Sequence, residues 1–498
     1  MPVQFVSAVR RLAMAQVPPV LPVRLPASPP IPRWLGGEPV TLPEQMPAGL
    51  PQRAARQLAA VLADQQSKRS KRSGAAERSG RSGRSGTDRS LVVPLEQEVV
   101  LDQAECDRLV AFLAAVPDRR KRRGRRYRLS YLLAVAVVAM MAAELSVASI
   151  GEWVATAPAG LLIALGARVN RQGQPGRPDA TTIGHALTAA GQELDRALCA
   201  WVGALRRAWH HSRDGGRLRY RSLHVDGKAV AHARRTTQRA PMLLSVRADD
   251  GTVAAQVPVS EKTNEIPMFA PLLDGLDDLT GTVVTADQLH TQRGHATYLH
   301  QRGAHYVFTV GNNQPKLFDA LDALPWPQIA IDHATVDRGH GRIEVRTIKA
   351  LPPTDHIRTL FPHVEQVFLL ERYTYTLDGT PLGAVAVLGI TSLPPDHADP
   401  AAIAAYVRGH WSVESLHWIR DVVLGEDAST VKGAYQAMAA IRNLIIGICS
   451  LRGVRNLARQ LRACHRDPYR LPPLLIGIMK PNPHHPATQT RPTPQPNT

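Results

Sequence analysis

The sequence predicts a mixed α/β protein. A mixed sheet flanked by helices carries a β-rich insertion, and a small helical domain and a basic low-complexity N-terminal region precede it. Three observations predict this. Apolar stretches of helical length fill residues 91–215, whereas from Arg219 short strands alternate with helices. A β-rich block at about 325–395 separates an Asp-ended strand from two long helices. The charge is lopsided: residues 1–128 hold 23 Lys and Arg against 11 Asp and Glu, so +12 of the net +18 lies there.

The 498 residues are too many for one ordinary core, and 44% hydrophobic content is enough to build several. The basic balance points to a polyanionic partner. Cys106, Cys199, Cys449 and Cys464 are scattered without a CxxC. That argues against a zinc ribbon or a disulfide scaffold and fits a reducing cytosol. The N-terminus lacks the continuous apolar core of a signal peptide. Leu129–Ala143 is uncharged but short for a membrane span, and it reads as a buried helix.

In chain order, residues 1–66 are rich in Pro and Ala, with a short amphipathic helix expected near Gln52–Ala63. Residues 67–90 read SKRSKRSGAAERSGRSGRSGTDRS, which cannot bury enough apolar surface to fold. The first 90 residues are therefore expected to be mostly disordered. In the helical domain (91–215), Ala104–Val116 and Tyr131–Val154 read as helical, and Asp179 is a candidate N-cap for a helix over Ala180–Gly203. Between them lie eight basic residues from Arg119 to Arg128, Arg122 and Arg125 included. Such a run can neutralise several phosphates, or simply be a solvated loop.

The region of alternating strands and helices spans 216–460. A strand is expected over Ser222–Val230, then a hairpin of Met242–Arg247 and Thr252–Val259 closed by Asp249-Asp250-Gly251. Glu265–Leu273 reads as a helix interrupted by prolines. Thr282–Ala286 is a short apolar strand, Tyr298–Arg302 a helix and His305–Val310 a strand. The insertion is expected to hold strands at Ile329–Asp332, Arg342–Ile348, Gln366–Thr376 and Ala384–Ile390. Helices follow at Pro400–Val423 and Ala434–Arg452. Residues 461–498 read as a C-terminal tail, Pro- and Thr-rich after Lys480.

Three carboxylates stand out. Asp226 lies mid-strand in LHVDGKAV, where propensity disfavours Asp, and Gly227 beside it permits close approach. Asp287 ends a buried-looking strand, the place where α/β sheets put chemistry. Glu414 lies in YVRGHWSVESLHWIRDVV. At about 100° per residue, His410, Glu414, His417 and Asp421 share one helix stripe. The chemistry that needs three such carboxylates is two-metal phosphoryl transfer. Two hard cations activate the attacking oxygen and stabilise the leaving one.

These stretches together resemble the ISAs-type DDE transposases of bacterial insertion sequences, which have an RNase H-like catalytic core. The resemblance rests on VDGKAV, VPVSEKTNEIP (Val257–Pro267), VVTADQLHTQ and NNQPKL (Asn312–Leu317). It continues through DRGHGRIEVR (Asp337–Arg346), RGHWSVESLHWIRDV and GEDAS (Gly425–Ser429). It implies that Asp226, Asp287 and Glu414 hold two Mg²⁺ or Mn²⁺ ions. The segment after Glu414 is one residue shorter than the common form, which keeps Asp421 and Glu426 open as alternative third ligands. Lys228, Lys262, Asn264, His290, Gln314, Arg342, Arg408 and Trp411 are implied as DNA-handling or supporting residues, beside Arg122 and Arg125. The implied partner is double-stranded DNA, both element ends and target, bound by a homodimer in the cytoplasm at the nucleoid, with no membrane. The implied reaction is cleavage and joining. The rival readings are a DNA-binding protein that no longer cuts and a metal-dependent nuclease that does not join.

Overall fold

A computed structural model describes residues 49–62, 103–210, 218–230, 240–260, 264–429 and 433–467. The basic stretch 67–90, Lys262 and the segment after Lys480 lie outside the described residues. The chain forms two compact units that interleave in sequence. A helical unit takes Gln97–Leu279 and Gly409–Thr498, and an insertion unit takes Met1–Glu96 and Thr280–Arg408.

The helical unit is built around Leu129–Met141, whose residues are buried on nearly every side. A helix apolar all round belongs at the centre of a packed cluster. It sits there because Val147–Thr156, Ala180–His210, Tyr435–Leu451 and Leu457–Arg466 contribute to the same core. No helix among the described residues is long and apolar enough to cross a membrane. Asp179 caps its helix as expected, its Oδ1 accepting from the Thr182 amide at 2.8 Å. That helix runs on to His210 with a kink at Gly191, past the expected end at Gly203. The segment expected to be a tail from 461 begins inside a helix. Leu461 and Cys464 are buried on one face of Leu457–Arg466, so the packing extends it.

Three antiparallel strands belong to this unit: β1 (Arg221–Ala229), β2 (Met242–Ala248) and β3 (Val253–Val259). The expected hairpin is present, and Gly251 supplies the left-handed residue of its turn at φ 84°. The prolines do divide Glu265–Leu273, into a 3₁₀ turn at Ile266–Met268 and a short helix at Phe269–Leu273.

The insertion unit holds a mixed sheet. β4 (Thr282–Ala286) runs parallel to β5 (His305–Thr309), and β5 pairs antiparallel with β9 (Pro381–Thr391). β9, β8 (Gln366–Thr376), β7 (Arg342–Leu351) and β6 (His333–Gly339) then form an antiparallel meander, the expected β-rich insertion. The strand expected at Ile329–Asp332 is displaced to β6. A 3₁₀ turn at Trp326–Gln328, closed by the Trp326 indole donating to Leu321 O at 2.8 Å, uses up the approach. The helix at residues 52–62 lays Leu58 and Leu62 on Ile343, Val345 and Tyr375 of the meander. The amphipathic helix expected in the prefix is therefore part of a folded unit.

Candidate active site

In β1, the carboxylate of Asp226 is 26% exposed and its Oδ1 accepts from the Gly227 amide at 2.8 Å. Glycine beside it leaves room for a neighbouring carboxylate. A Cβ at Gly227 would overlap the carboxylate of Glu265, which packs directly on that backbone. Strand alternation puts Lys228 on the same face as Asp226. Lys228 Nζ lies 2.6 Å from Asp421 Oδ1 and donates to Oδ2 at 2.8 Å.

The helix carrying Glu414 packs against β1. The expected unbroken helix over Pro400–Val423 has three parts. Pro400–His410 gives way at Trp411 to Ser412–Trp418, and a π turn covers Ile419–Val423. Val413 and Leu416 face the core, which leaves Glu414 exposed. His417, one turn on, brings Nδ1 to 3.6 Å from Asp226 Oδ2, longer than a hydrogen bond. Burial, reinforced by the Arg420 and Lys228 cations, pulls the His417 pKa down to about 3, so the imidazole is neutral.

Behind this face is a sealed ion network. Arg420 donates to both carboxylate oxygens of Glu426 at 2.8 Å, and both side chains are 0% exposed. Arg442 adds a contact to Glu426 at 3.4 Å, and Gln256 accepts from Asn443 at 2.9 Å. Burial alone would raise the Glu426 pKa, but Arg420, Arg442 and Lys228 hold it below the ordinary value. Burial does raise that of Asp421, although Lys228 opposes it. Glu426 is thus committed to arginines and Asp421 to a lysine, which leaves Glu414 as the outward carboxylate of this helix. Motif reading missed Arg420, Arg442, Gln256 and Asn443, since nothing local in sequence marks residues that meet only on folding.

In the insertion unit, Asp287 ends β4, and its side chain accepts from the His290 amide at 3.3 Å, capping a 3₁₀ turn. This cap orients the carboxyl group at the strand end. Gln314 braces this loop, donating to Thr291 O at 2.9 Å. Arg408 (49% exposed) pairs with Asp337 at 2.7 Å, and Arg342 (48% exposed) with Glu344 at 2.7 Å. Arg346 joins both carboxylates.

Two of the residues expected as DNA-handling or supporting groups are buried. Lys228 is 7% exposed and taken up by Asp421, and His290 is fully buried and stacked on His295. Asn264 is exposed and its Oδ1 accepts from the Ile266 amide at 3.2 Å. Trp411 is half-buried at the break before Ser412. Arg122 is exposed, whereas Arg125 folds back on the loop, donating to Arg120 O at 2.8 Å.

Among the described residues, no three His, Cys, Asp or Glu side chains form a ready-made metal cluster. The donor set still suits a hard cation. Asp226 and Glu414 are oxygen donors with solvent access, and Mg²⁺ is commonly held by one or two carboxylates plus substrate phosphates.

Asp226 on a strand and Glu414 on an exposed helix face thus belong to the helical unit, and Asp287 at a strand end to the insertion unit. The family described as "Transposase DDE domain" matches residues 218–448, and the family described as "DDE_Tnp_1-associated" matches residues 110–202. The chain belongs to the DDE-type transposases of insertion sequences, and is an enzyme of that type; the family in general uses divalent metal ions and binds DNA. It is similar to the "H repeat-associated putative transposase YhhI" of Escherichia coli (strain K12), 26% identical over 281 residues, 51% of this chain and 71% of that one. The "Uncharacterized protein in dhlA 3'region" of Xanthobacter autotrophicus is 28% identical over 247 residues, 48% of this chain and 78% of that one. Among solved structures, a piggyBac transposase synaptic complex with hairpin DNA matches with TM-score 0.31 and 11% identity, covering 76% of this chain and 81% of that one.

Proposed function

We propose that this transposase cuts DNA at the ends of its element and joins those ends to target DNA, through an RNase H-like catalytic core. Asp226, Asp287 and Glu414 are its catalytic carboxylates and would hold two Mg²⁺ or Mn²⁺ ions. When bound, the ions supply charge stabilisation to the attacking and leaving oxygens. In the first step water attacks the phosphorus at the element end, the P–O3′ bond breaks, and the 3′ oxygen takes a proton. In the second step that 3′-hydroxyl attacks a target phosphodiester. One phosphodiester forms as another breaks, so no nucleotide cofactor is needed.

The observation that carries this reading is the sorting of the helix carboxylates: Glu414 faces out, while Asp421 and Glu426 are spent on Lys228 and Arg420. Outside the catalytic carboxylates, Arg342, Arg408, Arg122, Arg125, Asn264, Gln314 and Trp411 are the residues we assign to DNA handling, together with Lys262. The working form is a homodimer on double-stranded DNA, in the cytoplasm. The test is cleavage and joining of DNA carrying the element's own ends, with Mg²⁺ or Mn²⁺. Wild type is expected to do both. Asp226→Ala, Asp287→Ala and Glu414→Ala are expected to bind that DNA and do neither. Wild type that cuts without joining would make it a nuclease, and wild type that only binds would end the enzymatic reading.

A further inference from the structure

The active-site helix meets β1 through two paired positions. His417 stands opposite Asp226 at 3.6 Å, and Asp421 stands opposite Lys228 at 2.6 Å. The spacings match. Residues two apart on a strand repeat at about 6.7 Å. Residues four apart on a helix repeat at about 6 Å. In a regular α-helix the second of those helix residues overshoots the first by about 40° around the axis. The π turn at Ile419–Val423 holds an extra residue per turn, which shrinks the overshoot and brings Asp421 back under His417. The sealed network stands behind the second pair: Glu426 Oε2 is 4.0 Å from Lys228 Nζ and is itself held by Arg420.

We infer that Lys228 and Asp421 are a register clamp, positioning residues that fix where Glu414 lies relative to Asp226, and that neither binds metal or DNA. The inference rests on the assignment of Asp226 and Glu414 as catalytic carboxylates. A slip of the helix by one residue would move Glu414 by about 1.5 Å along the axis and about 100° around it. Two carboxylates that must hold ions together cannot tolerate such a shift. The clamp prevents it because Lys228 rides on the same strand as Asp226 and Asp421 on the same helix as Glu414.

The test uses the full chain with Lys228→Met, Asp421→Asn, the double variant, and the exchanged pair Lys228→Asp with Asp421→Lys. Three readouts are taken: kcat and KM for cleavage of end DNA, Mn²⁺ affinity without DNA by electron paramagnetic resonance, and thermal melting. Each single variant is expected to lower kcat at least tenfold with KM for DNA within twofold, and to weaken Mn²⁺ binding severalfold. The double variant is expected to be no worse than the singles, and the exchanged pair to recover activity in part. If a single variant fails to fold, Lys228→Arg and Asp421→Glu replace them, with smaller losses of kcat expected. Weaker DNA binding by Lys228→Met, with a salt dependence reduced by about one ion, would make Lys228 a phosphate contact and overturn the clamp. Loss of Mn²⁺ binding in Asp421→Asn that the exchanged pair does not restore would make Asp421 a metal ligand and overturn it equally. A lower melting temperature with unchanged kcat would reduce the pair to ordinary stabilisation. Inactive wild type would defeat the transposase reading itself. The clamp would then stand or fall on Mn²⁺ affinity alone.

Discussion

Each unit of this protein has an arginine–carboxylate network, and the two are built on opposite terms. In the helical unit, Arg420 and Glu426 are 0% exposed and Arg442 is 2%. In the insertion unit, Arg342 and Arg408 are about half exposed, their partners Glu344 and Asp337 are 11% and 38% exposed, and Arg346 is 13%. A sealed pair has given up its water and cannot exchange partners without great cost. An open pair keeps much of its hydration, is worth little to stability, and can trade a carboxylate for another anion. The sealed network therefore determines shape, while the open one is suited to grip phosphate.

The largest effect should come from breaking the sealed set. Glu426→Gln leaves Arg420 and Arg442 facing each other without an anion, and is expected to cost about 3–5 kcal/mol in urea unfolding. A loss under about 1 kcal/mol would show that water enters the network and that the contrast is false.

A smaller effect is expected from Asp195, which borders the sealed network. Burial raises its pKa to about 7, against opposing pulls from Arg420 and Arg196. The folded state therefore prefers the neutral acid. Its stabilising contribution is full below about pH 3.8, the unfolded value, and is lost as the pH climbs to about 7. Asp195→Asn should match wild type in urea midpoint at about pH 4 and exceed it at about pH 8. Equal midpoints at both would place Asp195 in water.

The smallest stability change belongs to the open network. Asp337→Asn and Arg408→Ala should each move unfolding by only about 0–1 kcal/mol. Yet Arg408→Ala, like Arg342→Ala, should weaken binding to end DNA and lower its salt dependence by about one ion. DNA affinity unmoved by both would assign the open face to stability after all.

Much of this is legible in sequence, for physical reasons that differ by element. The hairpin of β2 and β3 announces itself because alternation and an Asp-Gly turn are local signals, and the Asp179 cap is visible for the same reason. Asp226, Asp287 and Glu414 can be picked out because a carboxylate in a strand, at a strand end or on a narrow polar stripe violates local expectation. The burial of Lys228 and His290 is not legible because sequence shows a cation or an imidazole but not which way it points. Only the folded chain reveals Asp421 opposite Lys228, 193 residues away. The break at Trp411 and the π turn carry no periodicity signal, since apolar spacing continues through them.

The helix at residues 52–62 has a bearing on how this gene product should be handled. Its leucines roof Ile343, Val345 and Tyr375, although it lies well upstream of the stretch matched by the transposase families. A shorter polypeptide started at an internal methionine or trimmed by a protease would carry the intact carboxylates but leave that roof off. It would show water a greasy stripe on the meander, and such stripes make proteins stick to one another. Loss of the prefix would thus surface first as poor yield and clumping, easily mistaken for a defect in chemistry.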